Sequence, residues 1–170
     1  FDCTSAPGRA EGVAKAATGV RAGALVVLPT DTLYGVGADA FTPAAVQALL
    51  AAKGRGQDMP PPVLVASPET VDGLATDIPD YARALIAQFW PGALTVVLKA
   101  QPSLMWDLGE TGGTVALRMP NDEIALALLA EVGPMAVSSA NRTVYPSSRT
   151  LVEAARQLGA AVEFYLDGGP

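Results

Sequence analysis

The residues of this chain that could do chemistry fall in four short pieces. Leu28-Pro29-Thr30-Asp31-Thr32-Leu33-Tyr34-Gly35-Val36-Gly37 follows the apolar run Ala24 to Leu28 and gathers two hydroxyls, a carboxylate, a phenol and two glycines. A buried strand that opens into a polar, glycine-punctuated turn is how an α/β domain presents backbone and hydroxyl groups to a ligand. Lys53-Gly54-Arg55 places two cations beside flexible backbone, an arrangement that suits phosphate. Arg118 lies inside the apolar stretch Val115 to Met119. There a cation needs either an internal carboxylate such as Asp31 or an occupied cleft. Ser138-Ser139-Ala140-Asn141 follows another apolar strand, and its hydroxyls and amides could form an anion nest flanked by Arg142 and Arg149.

Each piece also has a purely structural reading. Asp31 could close an Asx-type turn on neighbouring amides, and Lys53 could simply complement a helix C-terminus. The serines could cap a turn. Taken together, Thr32, Lys53, Arg55, Arg118 and the Ser-Ser-Ala-Asn turn resemble a pocket for a polyphosphate and a small zwitterion. The expectation is that these cations and hydroxyls, from distant strand ends, meet around one anionic guest. No Walker A sequence is present, and Gly35-Val36-Gly37 makes a weak dinucleotide fingerprint because no acidic partner ends a second strand.

Composition narrows the chemistry further. Histidine is absent, which removes Ser-His-Asp and Cys-His catalysis, histidine-ligated zinc and histidine proton shuttles. Reaction must then run on hydroxyls, carboxylates, cations and backbone amides. Net charge is −6, with only 11 lysines and arginines, against a broad nucleic-acid-binding face but not against a local cationic pocket. The single cysteine, Cys3, has no internal disulfide partner. No basic-then-apolar leader opens the chain and no apolar run is long enough to span a bilayer, so a cytoplasmic protein without membrane contact is expected.

The elements that must position these residues alternate. Helices are expected over 9–22, 43–53, 68–75, 81–89, 122–132 and 151–158. Strands are expected over 24–28, 63–66, 94–98, 114–119, 135–138 and 162–166. Thr42 is a plausible N-cap, with Gly23 and Gly133 as stop signals. This alternation predicts one α/β domain spanning residues 1–170, with helices packed on a twisted sheet. Asp167-Gly168-Gly169-Pro170 reads as a turn before a further strand, so a domain shortened at its C-terminus is expected.

The four pieces, together with Phe89-Trp90-Pro91-Gly92-Ala93-Leu94-Thr95, resemble the YrdC family of threonylcarbamoyl-AMP synthases. They occur in family order over almost the whole chain, and the alanine and glycine content suggests an actinobacterial source. The resemblance implies a mixed, twisted α/β sheet with flanking helices around a concave, positively charged cleft. It implies a nucleotidyltransferase that makes threonylcarbamoyl-AMP and pyrophosphate from L-threonine, bicarbonate and ATP. The product would feed a tRNA threonylcarbamoyl transferase complex, and double-stranded RNA binding is a family association. By analogy Thr32, Tyr34 and Arg118 would bind threonine, while Lys53, Arg55, Ser138, Ser139 and Asn141 would bind ATP. Lys53, Arg55 and Arg118 would be the catalytic cations. Magnesium would arrive on the ATP oxygens, with no protein metal site.

Two positions depart from the family pattern. Leu64 stands where a histidine is common, which removes one expected threonine contact. Val144 stands where a glycine is common, and if that glycine has φ > 0 the loop is expected to be rerouted. These departures, with the shortened C-terminus, motivate one alternative, a YrdC-like module that binds RNA or nucleotide with weakened turnover; a further one is a relative handling another carbamoyl group, as in hydrogenase-maturation carbamoyltransferases.

Overall fold

A computed structural model describes residues 1–170. Helix α1 spans Ala6–Arg21 and begins earlier than expected, because the Ser5 side chain accepts from the Gly8 amide and Pro7 sits in the first turn. Strands β1 (Val26–Leu28) and β2 (Gly35–Asp39) follow, then α2 (Pro43–Lys53), closed by Gly54 at φ 70°. Strand β3 (Val63–Leu64), a 3-10 turn (Pro68–Thr70), α3 (Val71–Leu74), β4 (Ala75–Thr76) and α4 (Asp80–Phe89) form the next stretch. The chain continues through β5 (Val96–Ala100), β6 (Thr114–Arg118) and α5 (Glu123–Val132), whose cap is the Asp122 carboxylate. It ends with β7 (Met135–Ser139), α6 (Leu151–Leu158) and β8 (Phe164–Tyr165). A capping box between Thr150 and Glu153 starts α6.

All eight strands join one mixed sheet in the order β4-β5-β6-β3-β7-β2-β1-β8. β3 runs parallel to β6 and antiparallel to β7, which itself pairs antiparallel with β2. Val27, Val36, Val63 and Leu117 pack on one face with Val46 and Leu49 of α2 and Leu158 of α6. Val26, Leu28, Leu64, Met135 and Val137 pack on the other with Val20 of α1 and Leu128 of α5. The expected α/β class is thus observed, as one open sheet with helices on both faces. No helix is long and apolar enough to cross a membrane.

One element departs from the sequence reading in a way that matters for the site. Gly35-Val36-Gly37 is not part of an exposed turn; it is the buried start of β2. Side chains alternate along a strand, so both glycines lie on the face that carries Met135 and Val137. A Cβ at Gly35 would meet Val137 Cγ1 at 2.6 Å, and one at Gly37 would meet Met135 Cε and Val137 Cγ2 at 3.0 Å. The glycines therefore clear space for side chains of the neighbouring strand. Gly35 thereby floors a hollow instead of cradling a ligand with a turn amide.

Candidate functional site

A cleft of about 200 Å³ opens over that floor. Thr30, Thr32, Tyr34 and Gly35 line one side, Pro62, Leu64 and Val137 another, and Thr95, Arg118, Ser138 and Ser139 the rest. It holds the volume of roughly seven waters. That suits a small amino acid and falls well short of a nucleotide.

The turn between β1 and β2 is closed by Thr30, and not by Asp31 as an Asx-type turn would require. Thr30 Oγ1 donates to the Leu33 carbonyl at 2.5 Å and accepts from the amides of Thr32 and Leu33, each at 3.2 Å. One hydroxyl thus satisfies three backbone groups, which frees the Asp31 carboxylate to face away from the turn. Asp31 Oδ1 accepts from Arg118 Nη2. The internal ion pair is therefore real, and Arg118 still lines the cleft. Its guanidinium also donates from Nε to the Gly92 carbonyl at 2.9 Å and from Nη1 to Thr32 Oγ1 at 3.3 Å. Gly92 is itself held by its amide, which donates to the Met119 carbonyl at 2.8 Å. A flexible side chain is thereby fixed by three segments far apart in sequence, and each Nη keeps an N–H for a ligand.

Lys53 is placed differently. It is 1 % exposed, and its Nζ donates to the carbonyl oxygens of Ser139 and Asn141, the latter at 2.6 Å. It reaches the Ser-Ser-Ala-Asn turn from the α2 side of the sheet, whereas Arg118 works in the cleft on the α1 and α5 side. The expectation that Lys53 and Arg118 converge in one hollow is corrected here. The physical reason is the helix: α2 ends at Lys53 beneath the turn, and the free main-chain carbonyls there are the nearest acceptors. Burial, with the Arg55 charge nearby, holds the Lys53 ammonium down at about 8.

Arg55 stands between the two. Its Nη1 donates to Ser138 Oγ at 3.1 Å and its Nε to Thr143 Oγ1 at 3.2 Å, so it flanks the same turn without lining the cleft. Asn141 is also turned inward. Its Nδ2 donates to the carbonyls of Arg142 at 3.0 Å and Tyr145 at 2.8 Å, stapling the following loop, while its buried Oδ1 has no protein partner. Tyr34 borders the cleft, but its hydroxyl donates to the Gly169 carbonyl at 2.5 Å and accepts from the Gly168 amide at 3.1 Å. Burial pushes this phenol up to about 12, so it remains a neutral donor.

The cleft thus gathers Thr32, Tyr34, Arg118, Ser138 and Ser139 from the sequence-derived set, and leaves Lys53, Arg55 and Asn141 behind its wall. Reading the sequence missed Thr95, Pro62 and Val137 as lining residues. Thr95 closes the Phe89-to-Thr95 motif and was the most legible of these. Leu64, where a threonine contact was expected to be lost, is part of the lining. Val144 itself adopts a positive φ of 69°, a conformation that is costly for a β-branched residue. Its side chain is 95 % exposed and meets no packing obstacle, so only the local backbone cost remains.

No cluster of three or more His, Cys, Asp or Glu residues could hold a metal ion. The one carboxylate at the cleft edge, Asp31, is already engaged by Arg118. Hydroxyls and a guanidinium form a donor set for an anion. Magnesium brought on phosphate oxygens is compatible with it, because it requires no protein cage.

Comparison with known proteins agrees with this geometry. The Sua5/YciO/YrdC family model, described as telomere recombination, matches residues 19–170. A Mycobacterium leprae protein provisionally named a threonylcarbamoyl-AMP synthase is 56% identical over 170 residues, covering 100% of this chain and 77% of that protein. A Bacillus subtilis protein named threonylcarbamoyl-AMP synthase is 39% identical over 160 residues, covering 93% of this chain and 46% of its own length. Pyrococcus abyssi Sua5 complexed with L-threonine superimposes with a TM-score of 0.87 at 41% identity, over 92% of this chain and 46% of that one. The chain therefore spans under half the length of the Bacillus and Pyrococcus proteins.

Proposed function

Because the chain belongs to the Sua5/YciO/YrdC family, we propose that it is a threonylcarbamoyl-AMP synthase. The reaction consumes L-threonine, bicarbonate and ATP and yields threonylcarbamoyl-AMP, pyrophosphate and water. One observation carries this reading: an arginine immobilised by Gly92, Asp31 and Thr32 at the wall of a cleft the size of a small amino acid.

Threonine enters with its carboxylate on the two free Nη hydrogens of Arg118 and its polar atoms among the hydroxyls of Thr32 and Thr95. Tyr34 shapes this end through its ring. N-carboxylation by bicarbonate releases water and gives a carbamate. A carbamate oxygen then attacks the α-phosphorus of ATP, and the bond to the β-phosphate oxygen breaks to release pyrophosphate. Such a step needs alignment and charge neutralisation more than a proton shuttle, so a site without histidine suffices.

The nucleotide is too large for the cleft and lies across its open end, over Ser138 and Ser139. Arg55, beside Ser138, supplies charge to the phosphates, and Lys53 sets the turn and adds its positive charge from beneath. Asn141 keeps the loop in place. Magnesium on the phosphates supplies charge neutralisation at the leaving pyrophosphate. The product passes to a tRNA-modifying transferase in the cytoplasm. Any direct RNA contact falls to the exposed Arg142 and Arg149, which flank the Ser-Ser-Ala-Asn turn in sequence.

The test is threonine-dependent pyrophosphate release with labelled bicarbonate. Label must appear in an adenylate that forms only when threonine, bicarbonate and ATP are all present. ATP turnover indifferent to threonine overturns the proposal.

A further inference from the structure

One wall of the cleft has no polar atom to offer. Leu64 on β3 is the register partner of Arg118 on the parallel strand β6, so the two side chains leave the same face one strand apart. Leu64 is also the register partner of Met135 on β7, and Val137 follows two residues along on that face. Pro62, Leu64 and Val137 thus make a continuous apolar surface beside the guanidinium. The hydroxyls of Thr32 and Thr95 also line the cleft, while that of Thr30 is taken up by its own turn. A ligand anchored by its carboxylate on Arg118 must present one side of its β-carbon to each wall.

We infer that Leu64, backed by Pro62 and Val137, is the specificity-determining residue that receives the γ-methyl group of the amino-acid acceptor. The inference rests on the proposal that Arg118 holds that acceptor's carboxylate. Selection then depends on burying a methyl group and less on recognising a hydroxyl. A site built around the hydroxyl would reject analogues lacking it by orders of magnitude, because its own polar groups would be left unpaired. The Thr32 and Thr95 hydroxyls of the cleft are solvent-exposed, so water takes the ligand hydroxyl's place when it is missing. Losing the methyl instead leaves a gap against Leu64 that its packed neighbours cannot close.

The experiment measures binding of threonine, serine and 2-aminobutyrate to the intact chain by calorimetry, alongside pyrophosphate release. Serine keeps the hydroxyl and lacks the methyl; 2-aminobutyrate keeps the methyl and lacks the hydroxyl. In the unaltered protein 2-aminobutyrate should bind more tightly than serine, and threonine should exceed serine by roughly tenfold. In Leu64→Ala that threonine-to-serine ratio should fall to roughly twofold. Serine binding more tightly than 2-aminobutyrate overturns the inference, and this comparison needs no variant to fold. An unchanged ratio in folded Leu64→Ala also overturns it. If this binding order holds while threonine fails to support pyrophosphate release, the synthase reading falls and the specificity assignment stands. If turnover requires threonine but the order is reversed, only the assignment falls.

Discussion

Arg118 and Lys53 are the two cations that the sequence marks most strongly, and the structure gives them opposite settings. Arg118 stands at the wall of the cleft, with side chains 14% and 18% exposed for it and its partner Asp31. Lys53 lies inside the protein on two main-chain carbonyls. The first is a side chain held open by other side chains, and the second is a pin that holds the backbone. The contrast teaches that a cation near a ligand-binding turn acts through the atoms that orient it. A guanidinium with five donors can be fixed and still bind, while a buried ammonium is largely consumed by the acceptors that hold it.

Three perturbations sharpen that contrast and one lies outside it. The largest effect is expected from Arg118→Ala, which should lower threonine-dependent turnover by roughly 100- to 1,000-fold. The melting temperature should fall by several degrees with the fold retained, because the largely buried Asp31 carboxylate loses its partner but can rehydrate at the cleft mouth. Parallel rate and melting measurements check this. A collapse of the fold with the rate of the folded fraction preserved would assign Arg118 to structure alone. Lys53→Met should show the reverse order, costing about 2–4 kcal/mol of stability by leaving two buried carbonyls without donors. Denaturant titration reads that loss, and an unchanged midpoint would remove Lys53 from its pinning role.

pH tests the setting of Lys53 directly. The Lys53 ammonium titrates at about 8 in the fold against 10.5 ordinarily, so the unfolded chain binds more protons between these values. The destabilisation is therefore fully present below about pH 8, and stability recovers as pH rises from there toward 10.5. Denaturation midpoints should rise across that window in the unaltered protein, relative to Lys53→Met. The KM for ATP should rise as pH passes through about 8, where the folded enzyme loses the Lys53 charge, because the neutral amine still has two N–H donors for its carbonyls but no charge for phosphate. The smallest effect is expected at Val144, away from both cations. Val144→Gly relieves a positive φ on a β-branched residue, partly offset by unfolded-state entropy, and should raise stability by about 1 kcal/mol. Thermal unfolding measures it; a lower melting temperature would mean that the loop is not strained.

Much of the helical framework was legible because helix ends carry local chemistry. The expected boundaries of 43–53 and 151–158 coincide with α2 and α6, where Thr42-Pro43, Gly54 and the Thr150–Glu153 box mark the ends. Strands were harder. β2 has two glycines and an aspartate in five residues and reads as a loop, yet its ladders to β1 and β7 make it a central strand. β4 has only two residues and was not anticipated at all. Within the site, Arg118 and the Thr30-to-Tyr34 turn were visible as polar residues in apolar surroundings. Pro62 and Val137 were not, because an apolar residue that lines a cleft looks the same in sequence as one that fills a core, and Leu64 was marked only by its departure from the family pattern.

By itself the sequence determined the family, the α/β class and the absence of histidine chemistry, since residue identity and local spacing are properties of the chain alone. Only the tertiary structure decided which face each cation serves. Strand register set Leu64 beside Arg118, the Thr30 hydroxyl released Asp31 to pair with that arginine, and the end of α2 turned Lys53 toward carbonyls and away from the hollow. Register and helix docking depend on contacts between residues distant along the chain, so no local pattern encodes them.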